Sequence, residues 1–199
     1  MKIIVIGATG VIGQAVVKEL GARHDLVQAS RSGGDIEVDI TDRKSIEAMF
    51  KKTSRIDAVV LATGKVHFDD LTAMSEETYQ TGLQNKLMGQ VNVVLIGQQY
   101  LNEGGSFTLT SGILSRDPIR YGSSASMVNG AIDSFVVAAA IEMPNKLRIN
   151  CVSPTVVTEA MDNYAPYFRG FEPVSAARVA LAYSKSVEGL QTGQVYQVG

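Results

Sequence analysis

Met1-Lys2-Ile3-Ile4-Val5-Ile6-Gly7-Ala8-Thr9-Gly10-Val11-Ile12-Gly13 opens the chain, and its reading decides the fold. Ile3 to Ile6 is a short β-branched run, as expected of a strand buried on both faces. Val11 to Leu20 then takes helical period, with Val16, Val17 and Leu20 on one face. Gly7, Gly10 and Gly13 fill the turn between them. One glycine permits the tight turn, one lets a phosphate approach the backbone, and one lets the helix pack on the strand. The free N–H groups of the helix start complete an anion site. A glycine cluster alone decides little, but after the first strand of an alternating chain it predicts a phosphate-binding turn.

The alternation continues outward. Further strands are predicted at Leu26–Ser30, Ile36–Ile40, Ala58–Leu61, Phe107–Leu109, Leu147–Val152 and Gln194–Val198. Between them, Thr41 or Asp42 caps a helix reaching Lys52, and Ser75 caps a short one. A long helix is predicted from about Leu83 to Leu101, another from Ser123 to Met143 before Pro144, and a last one from Ser175 to about Val187. Asn163 to Pro173 reads as a loop, with Tyr164, Tyr167, Phe168 and Phe171 as an aromatic wall or loop packing. This pattern predicts one α/β domain over residues 1–199: a Rossmann-type doubly wound parallel sheet of about seven strands, helices on both faces. Ligands are then expected at the carboxyl ends of the strands, where strand order reverses.

Composition bounds the function. Apolar residues make up 45% and charged residues 19% of the 199 residues, and net charge is −2. No basic excess points to nucleic acid or an anionic membrane. The single cysteine, Cys151, excludes an internal disulfide, and two histidines far from it offer no metal site. No signal peptide or membrane-spanning run is read, so the expected compartment is the cytoplasm.

The end of the second strand selects the ligand. A dinucleotide site specific for NAD(H) places an acid there for the ribose 2′-hydroxyl, whereas an arginine accepts a 2′-phosphate. The chain has Ser30-Arg31-Ser32 and no acid. A guanidinium fork with flanking hydroxyls points to NADP(H) ahead of NAD(H), the alternative for Arg31 being a solvated side chain.

With these residues in place the chain resembles the short-chain dehydrogenase/reductase family over nearly its whole length. Asp39, with Ile40 beside it, matches the aspartate that contacts adenine. Leu61-Ala62-Thr63-Gly64 matches the Asn-Asn-Ala-Gly segment, with its first two asparagines lost. Asn85 matches the active-site asparagine and Ser111, after Thr110, the catalytic serine. Arg148 to Pro154 resembles the family's sixth strand and its Pro-Gly turn, with Thr155 in place of the glycine. The resemblance therefore implies a cofactor site of Gly7, Thr9, Gly10, Val11, Ile12, Gly13, Ser30, Arg31, Ser32, Asp39, Ile40, Ala62, Thr63, Gly64, Pro154, Val156 and Thr158, the last at the nicotinamide carboxamide. It also implies a homodimer or homotetramer, formed through the two long helices.

The chain departs from the family in two ways. The glycine spacing is that of its extended and atypical branches. The Tyr-x-x-x-Lys pair is also missing: alignment puts Ala125 at the tyrosine and Asn129 at the lysine. In the family that phenol moves the proton, its pKa lowered from about 10 by the lysine and the cofactor ring. Such general acid catalysis is worth about 10²–10⁴ in rate. Tyr121 is the leading substitute, with Lys65 and His67 as others and Arg116 and Arg120 nearby. Two readings follow: an NADP(H)-dependent oxidoreductase for a small carbonyl or alcohol with non-standard proton delivery, or a catalytically inactive cofactor sensor or scaffold. A third is another chemistry on a nucleotide-linked substrate.

Overall fold

The computed structural model describes all residues from Met1 to Gly199. The strands are β1 (Lys2–Ile6), β2 (Asp25–Ser30), β3 (Ile36–Glu37), β4 (Ile56–Leu61), β5 (Leu101–Thr110), β6 (Arg148–Pro154) and β7 (Val195–Val198). They form one seven-stranded sheet in the order β3-β2-β1-β4-β5-β6-β7. Every pairing is parallel. After β1 the chain builds outward to β3, then crosses back to lay β4 beside β1, pairing Ile6 with Leu61. The crevice at that reversal is where such sheets bind ligands.

The helices are α1 (Val11–Gly21), α2 (Arg43–Lys52), α3 (Glu76–Thr81), α4 (Gly89–Gly97), α5 (Ser123–Glu142), α6 (Met161–Tyr164) and α7 (Ala176–Glu188). Strand alternation divides the core in two. Ile4 and Ile6 of β1 face α2, α4 and α5, meeting Ile46, Phe50, Val93 and Ile132. Ile3 and Val5 face α1 and α7, meeting Val16, Leu20, Val179 and Tyr183. Burying one such aliphatic side chain contributes about 1.5–3 kcal/mol, so this two-sided packing fixes the sheet's register and its carboxyl edge.

Several predicted boundaries shift. Asp42 rather than Thr41 caps α2, accepting from the Lys44 N–H. Ser75 caps α3 with a reciprocal bond to Thr78. The helix expected from Leu83 to Leu101 is not continuous: Gly82–Met88 forms a π-helical turn, and α4 ends at Gly97. Its expected last residue, Leu101, instead begins β5 and pairs with Ile56. The loop expected from Asn163 overlaps the short α6, because Tyr164 packs edge-on against Phe68 and Phe168.

Helix α5 alters another expectation. An 18-residue window within it has a mean hydropathy of 1.4, so by length and composition it is long and apolar enough to cross a membrane. Its Ala125, Val128, Asn129, Ile132 and Val136 nevertheless form a stripe buried within the domain. Met127, Val137 and Ile141 remain exposed on the other side.

Candidate active site

Two cavities meet at the carboxyl edge, and Ala62, Thr63 and Gly64 after β4 wall both. The outer one is a polar cleft of about 500 Å³ between β1, β2 and β4. The inner one, about 280 Å³, is mostly apolar and lies over β5 and β6.

The outer cleft begins at the glycine turn. Gly7 leaves β1 at φ +85°, and its N–H bonds the Ala29 carbonyl at 2.8 Å. A Cβ on Gly13 would overlap the Gly7 carbonyl oxygen, so helix and strand pack this closely only with glycine there. No side chain caps the start of α1, which leaves its N–H groups open to an anion. Gly7, Thr9 and Gly10 line the cleft with Ser30, Arg31, Ser32, Asp39 and Ile40. Thr41 donates to Asp39 from its hydroxyl and its N–H, and with the Arg31 charge this holds the Asp39 carboxyl below its ordinary range. The Ser30 hydroxyl is taken up by the carbonyls of Ser32 and Gly33, so it shapes the loop that presents Arg31.

Asn85 also lines this cleft. Its Oδ1 accepts the Lys65 N–H at 2.6 Å, clamping the segment after β4.

The inner cavity is walled by Ile12, Val66, Phe68, Ile113, Leu114, Val156, Tyr164 and Phe168. Ser111, Asn129 and Thr155 bring polar atoms to it. Ser111 Oγ, Asn129 Oδ1 and Thr155 Oγ1 are all buried without a hydrogen-bond partner, and the Cys151 thiol neighbours Ser111. Buried polar atoms left unpaired are costly, so three of them on residues that line one cavity make it the candidate ligand site. Ala125 lines the cavity with a methyl group and brings no proton.

Some expected residues lie elsewhere. Val11 is exposed, and Gly13 serves packing, while Ile12 faces the inner cavity. Pro154 and Val156 line the inner cavity, but Thr158 is exposed and lines neither. Tyr121 also lines neither. At φ +68° its ring turns toward Tyr167 and lies under Arg120, beside a separate surface hollow. His67 pairs with Asp69 at 3.6 Å, outside both cavities, whereas Lys65 lines the outer cleft. Arg116 bonds Ser153 Oγ and Arg120 reaches Asp70.

Lys86 belongs to no sequence motif but does belong to the site. It is half-buried and lines the inner cavity, and its Nζ donates to the Ser111 carbonyl at 3.0 Å. Burial pulls its amine down from 10.5 to about 8, against the opposing fields of Cys151 and Asp133. A lone lysine beside Asn85 in an otherwise uncharged helical stretch was the available signal.

The residues therefore fit a nicotinamide dinucleotide: a glycine cradle, an arginine at the end of β2, and unpaired polar atoms around an apolar pocket. The comparisons agree. Residues 7–192 match the family model described as enoyl-(acyl carrier protein) reductase. The protein lin1944 from Listeria innocua is 49% identical, with each chain fully covered and a TM-score of 0.98. A small-chain dehydrogenase solved in complex with NADPH is 25% identical over 100% of this chain and 96% of its own, with a TM-score of 0.88. The Haemophilus influenzae bifunctional ribulose 5-phosphate reductase/CDP-ribitol pyrophosphorylase Bcs1 is 28% identical over 98% of this chain, which spans 42% of that protein's length. The matched family model, the shared fold and the nucleotide-binding turn place this chain in the short-chain dehydrogenase/reductase family.

Proposed function

We propose that the protein is an NADP(H)-dependent oxidoreductase acting on a small, largely apolar carbonyl or alcohol. The observation that carries this reading is the junction at Ala62–Gly64 between a polar cleft holding Arg31 and an apolar cavity holding Ser111. A bound nicotinamide supplies or accepts hydride at such a junction. Arg31 recognises the 2′-phosphate, Asp39 and Ile40 border the adenine end, and the open N–H groups of α1 take the pyrophosphate. Ser111 donates to the substrate oxygen, and the aromatic edges of Phe68, Tyr164 and Phe168 exclude water from the reacting carbon.

Titration with NADPH and NADH, read by nicotinamide fluorescence, tests the cofactor assignment without tryptophan background, since the chain has none. NADPH should bind tighter than NADH. Arg31→Ala should remove about 10–100-fold of that preference, the range for losing a charge-assisted bond. Equal affinities in the unaltered protein would sink the NADP(H) assignment.

Ala125 and Asn129 support a second reading, a protein that holds the cofactor without turnover. Hydride transfer to any member of a panel of small aldehydes, ketones and quinones removes it. The exposed Leu95, Val137 and Ile141 on α4 and α5 support assembly as a homodimer or homotetramer, and we place the protein's work in the cytoplasm. Sedimentation of a Val137→Glu, Ile141→Glu variant tests the assembly, with monomers expected.

A further inference from the structure

We propose that Lys86 is the proton donor of this site: its ammonium protonates the oxygen of the carbonyl substrate as the carbon takes up hydride from the reduced nicotinamide. The step balances. The carbonyl gains hydride at carbon and a proton at oxygen to give an alcohol, the reduced cofactor is oxidised, and the neutral Lys86 amine regains its proton from water. The inference rests on the oxidoreductase reading above.

Four observations carry it. First, Lys86 is aimed at the site. It lies in the π-helical turn Gly82–Met88, where Asn85 lines the outer cleft and the adjacent Lys86 lines the inner cavity. Such wide turns occur often at functional sites. Second, room has been made for it. A Cβ on Gly64 would sit 2.6 Å from Lys86 Cγ and 3.0 Å from its Cβ and Cδ, so the stem passes through space that only a glycine leaves open. Third, the ammonium is under-used. Of its three N–H donors, the protein engages one, at the Ser111 carbonyl, and no carboxylate lies within 4.0 Å. Fourth, it stands beside the group expected to bind the substrate oxygen, Ser111, whose own hydroxyl has no partner.

The neighbouring groups on β5, β6 and α5 do not compete with Lys86 in this role. Asn129 of α5 and Ser111 just after β5 are neutral at neutral pH. The Cys151 thiol of β6 is pushed up to about 12 by burial and keeps its proton. Cys151 and Asp133, the latter one helical turn beyond Asn129, are the groups whose fields oppose the effect of burial on Lys86. With burial lowering the amine to about 8, the ammonium is both populated and a competent acid near neutrality.

Two substitutions separate proton delivery from architecture. Lys86→Met keeps the stem and removes the charge. Lys86→Arg keeps the cation and a donor for the Ser111 carbonyl, but a guanidinium does not release its proton. Both variants should bind NADPH within a few-fold of the parent, which shows that the cofactor site and the fold survive. Carbonyl reduction in the parent should fall as pH rises through about 8. Both variants should lose about 10²–10⁴ in kcat together with that limb, and arginine should not rescue. Independently of turnover, NMR of the lysine side chains in the cofactor-free protein should show one Nζ titrating near 8 that is missing from Lys86→Met.

Recovery of kcat by Lys86→Arg would reduce Lys86 to a positioning residue and overturn the proposal. A pH limb that survives in Lys86→Met and vanishes in Tyr164→Phe would assign the proton to the other ionisable side chain of the inner cavity. Absence of any lysine side-chain amine titrating below about 9.5 would also refute it, on the ordinary lysine range. A parent protein that binds no NADPH fails the cofactor reading instead, and is recognised by the titration before any variant is made.

Discussion

Replacing Gly64 with alanine should disable the site from a position that carries no reactive group. Gly64 adopts φ +143°, where an L side chain is strained, and its new methyl would stand 2.6 Å from Lys86 Cγ. Ordinary carbon–carbon contact is about 3.5–4.0 Å, so the Lys86 stem must retreat by roughly 1 Å or the segment after β4 must move. The backbone conformation costs about 1–3 kcal/mol. Overpacking adds about 1–3 kcal/mol, softened because the neighbour is a flexible stem. A net loss of about 2–4 kcal/mol leaves a domain of this size folded, with Tm lower by about 5–15 °C. Displacing a reacting group by roughly 1 Å commonly costs about 10² in rate. Thermal melts should therefore show a folded but weakened protein, NADPH titration should show binding reduced only modestly, and carbonyl reduction should fall by about two orders of magnitude. An alanine variant with unchanged Tm and turnover would show that Lys86 does not depend on the space Gly64 leaves.

Three further outcomes are expected. Tyr183 is fully buried in α7 and its hydroxyl bonds Thr110 Oγ1, which itself donates to the Leu61 carbonyl; Tyr183→Phe should cost only about 1 kcal/mol in urea denaturation, because Thr110 keeps that second partner. Stability should depend on pH through Lys86: between about 8 and 10.5 the fold has shed a proton that the unfolded chain retains, so parent stability should rise with pH across that window relative to Lys86→Met, and parallel profiles would contradict it. The Cys151 thiol is fully buried and pushed up to about 12, so a thiol reagent at pH 8 should label it only at the rate of unfolding.

The readability of this sequence followed how local each signal was. The β1–turn–α1 unit was legible because strand period, glycine placement and helix period all lie within the first twenty residues, and no distant contact alters them. Asp42 and Ser75 were legible as caps for the same reason. The stretch after Ser75 was not, because a reading at 3.6 residues per turn assumes an unbroken helix, and the π-helical turn at Gly82–Met88 changes which residues face the sheet. Lys86 fell in that blind region. Leu101 reads as helical from its neighbours, since only its pairing with Ile56, 45 positions away, makes it a strand residue. Tyr121 reads as a cleft residue because it stands four positions before Ala125. Its left-handed backbone and its contacts with the Tyr167 ring and the Arg120 guanidinium are set by packing in the folded protein, which no local pattern encodes.

On the proposal that Lys86 delivers the proton, asparagine at 129 and lysine at 86 belong to one electrostatic arrangement. Asn129 and Lys86 line the same 280 Å³ cavity. A lysine at 129 would bring a second ammonium into it, and two like charges in one poorly hydrated pocket each disfavour the other's protonated form. Asparagine removes that conflict and leaves Lys86 as the cavity's single cation, with Asp133 one turn away to keep it protonated near neutrality. Alanine at 125 completes the exchange: where a phenol would fill the space and compete as donor, a methyl leaves the cavity open toward the ammonium. Asn129→Lys should therefore lower the Lys86 titration further below about 8 and shift the pH limb of carbonyl reduction the same way, whereas a site that draws its proton from elsewhere would keep its profile.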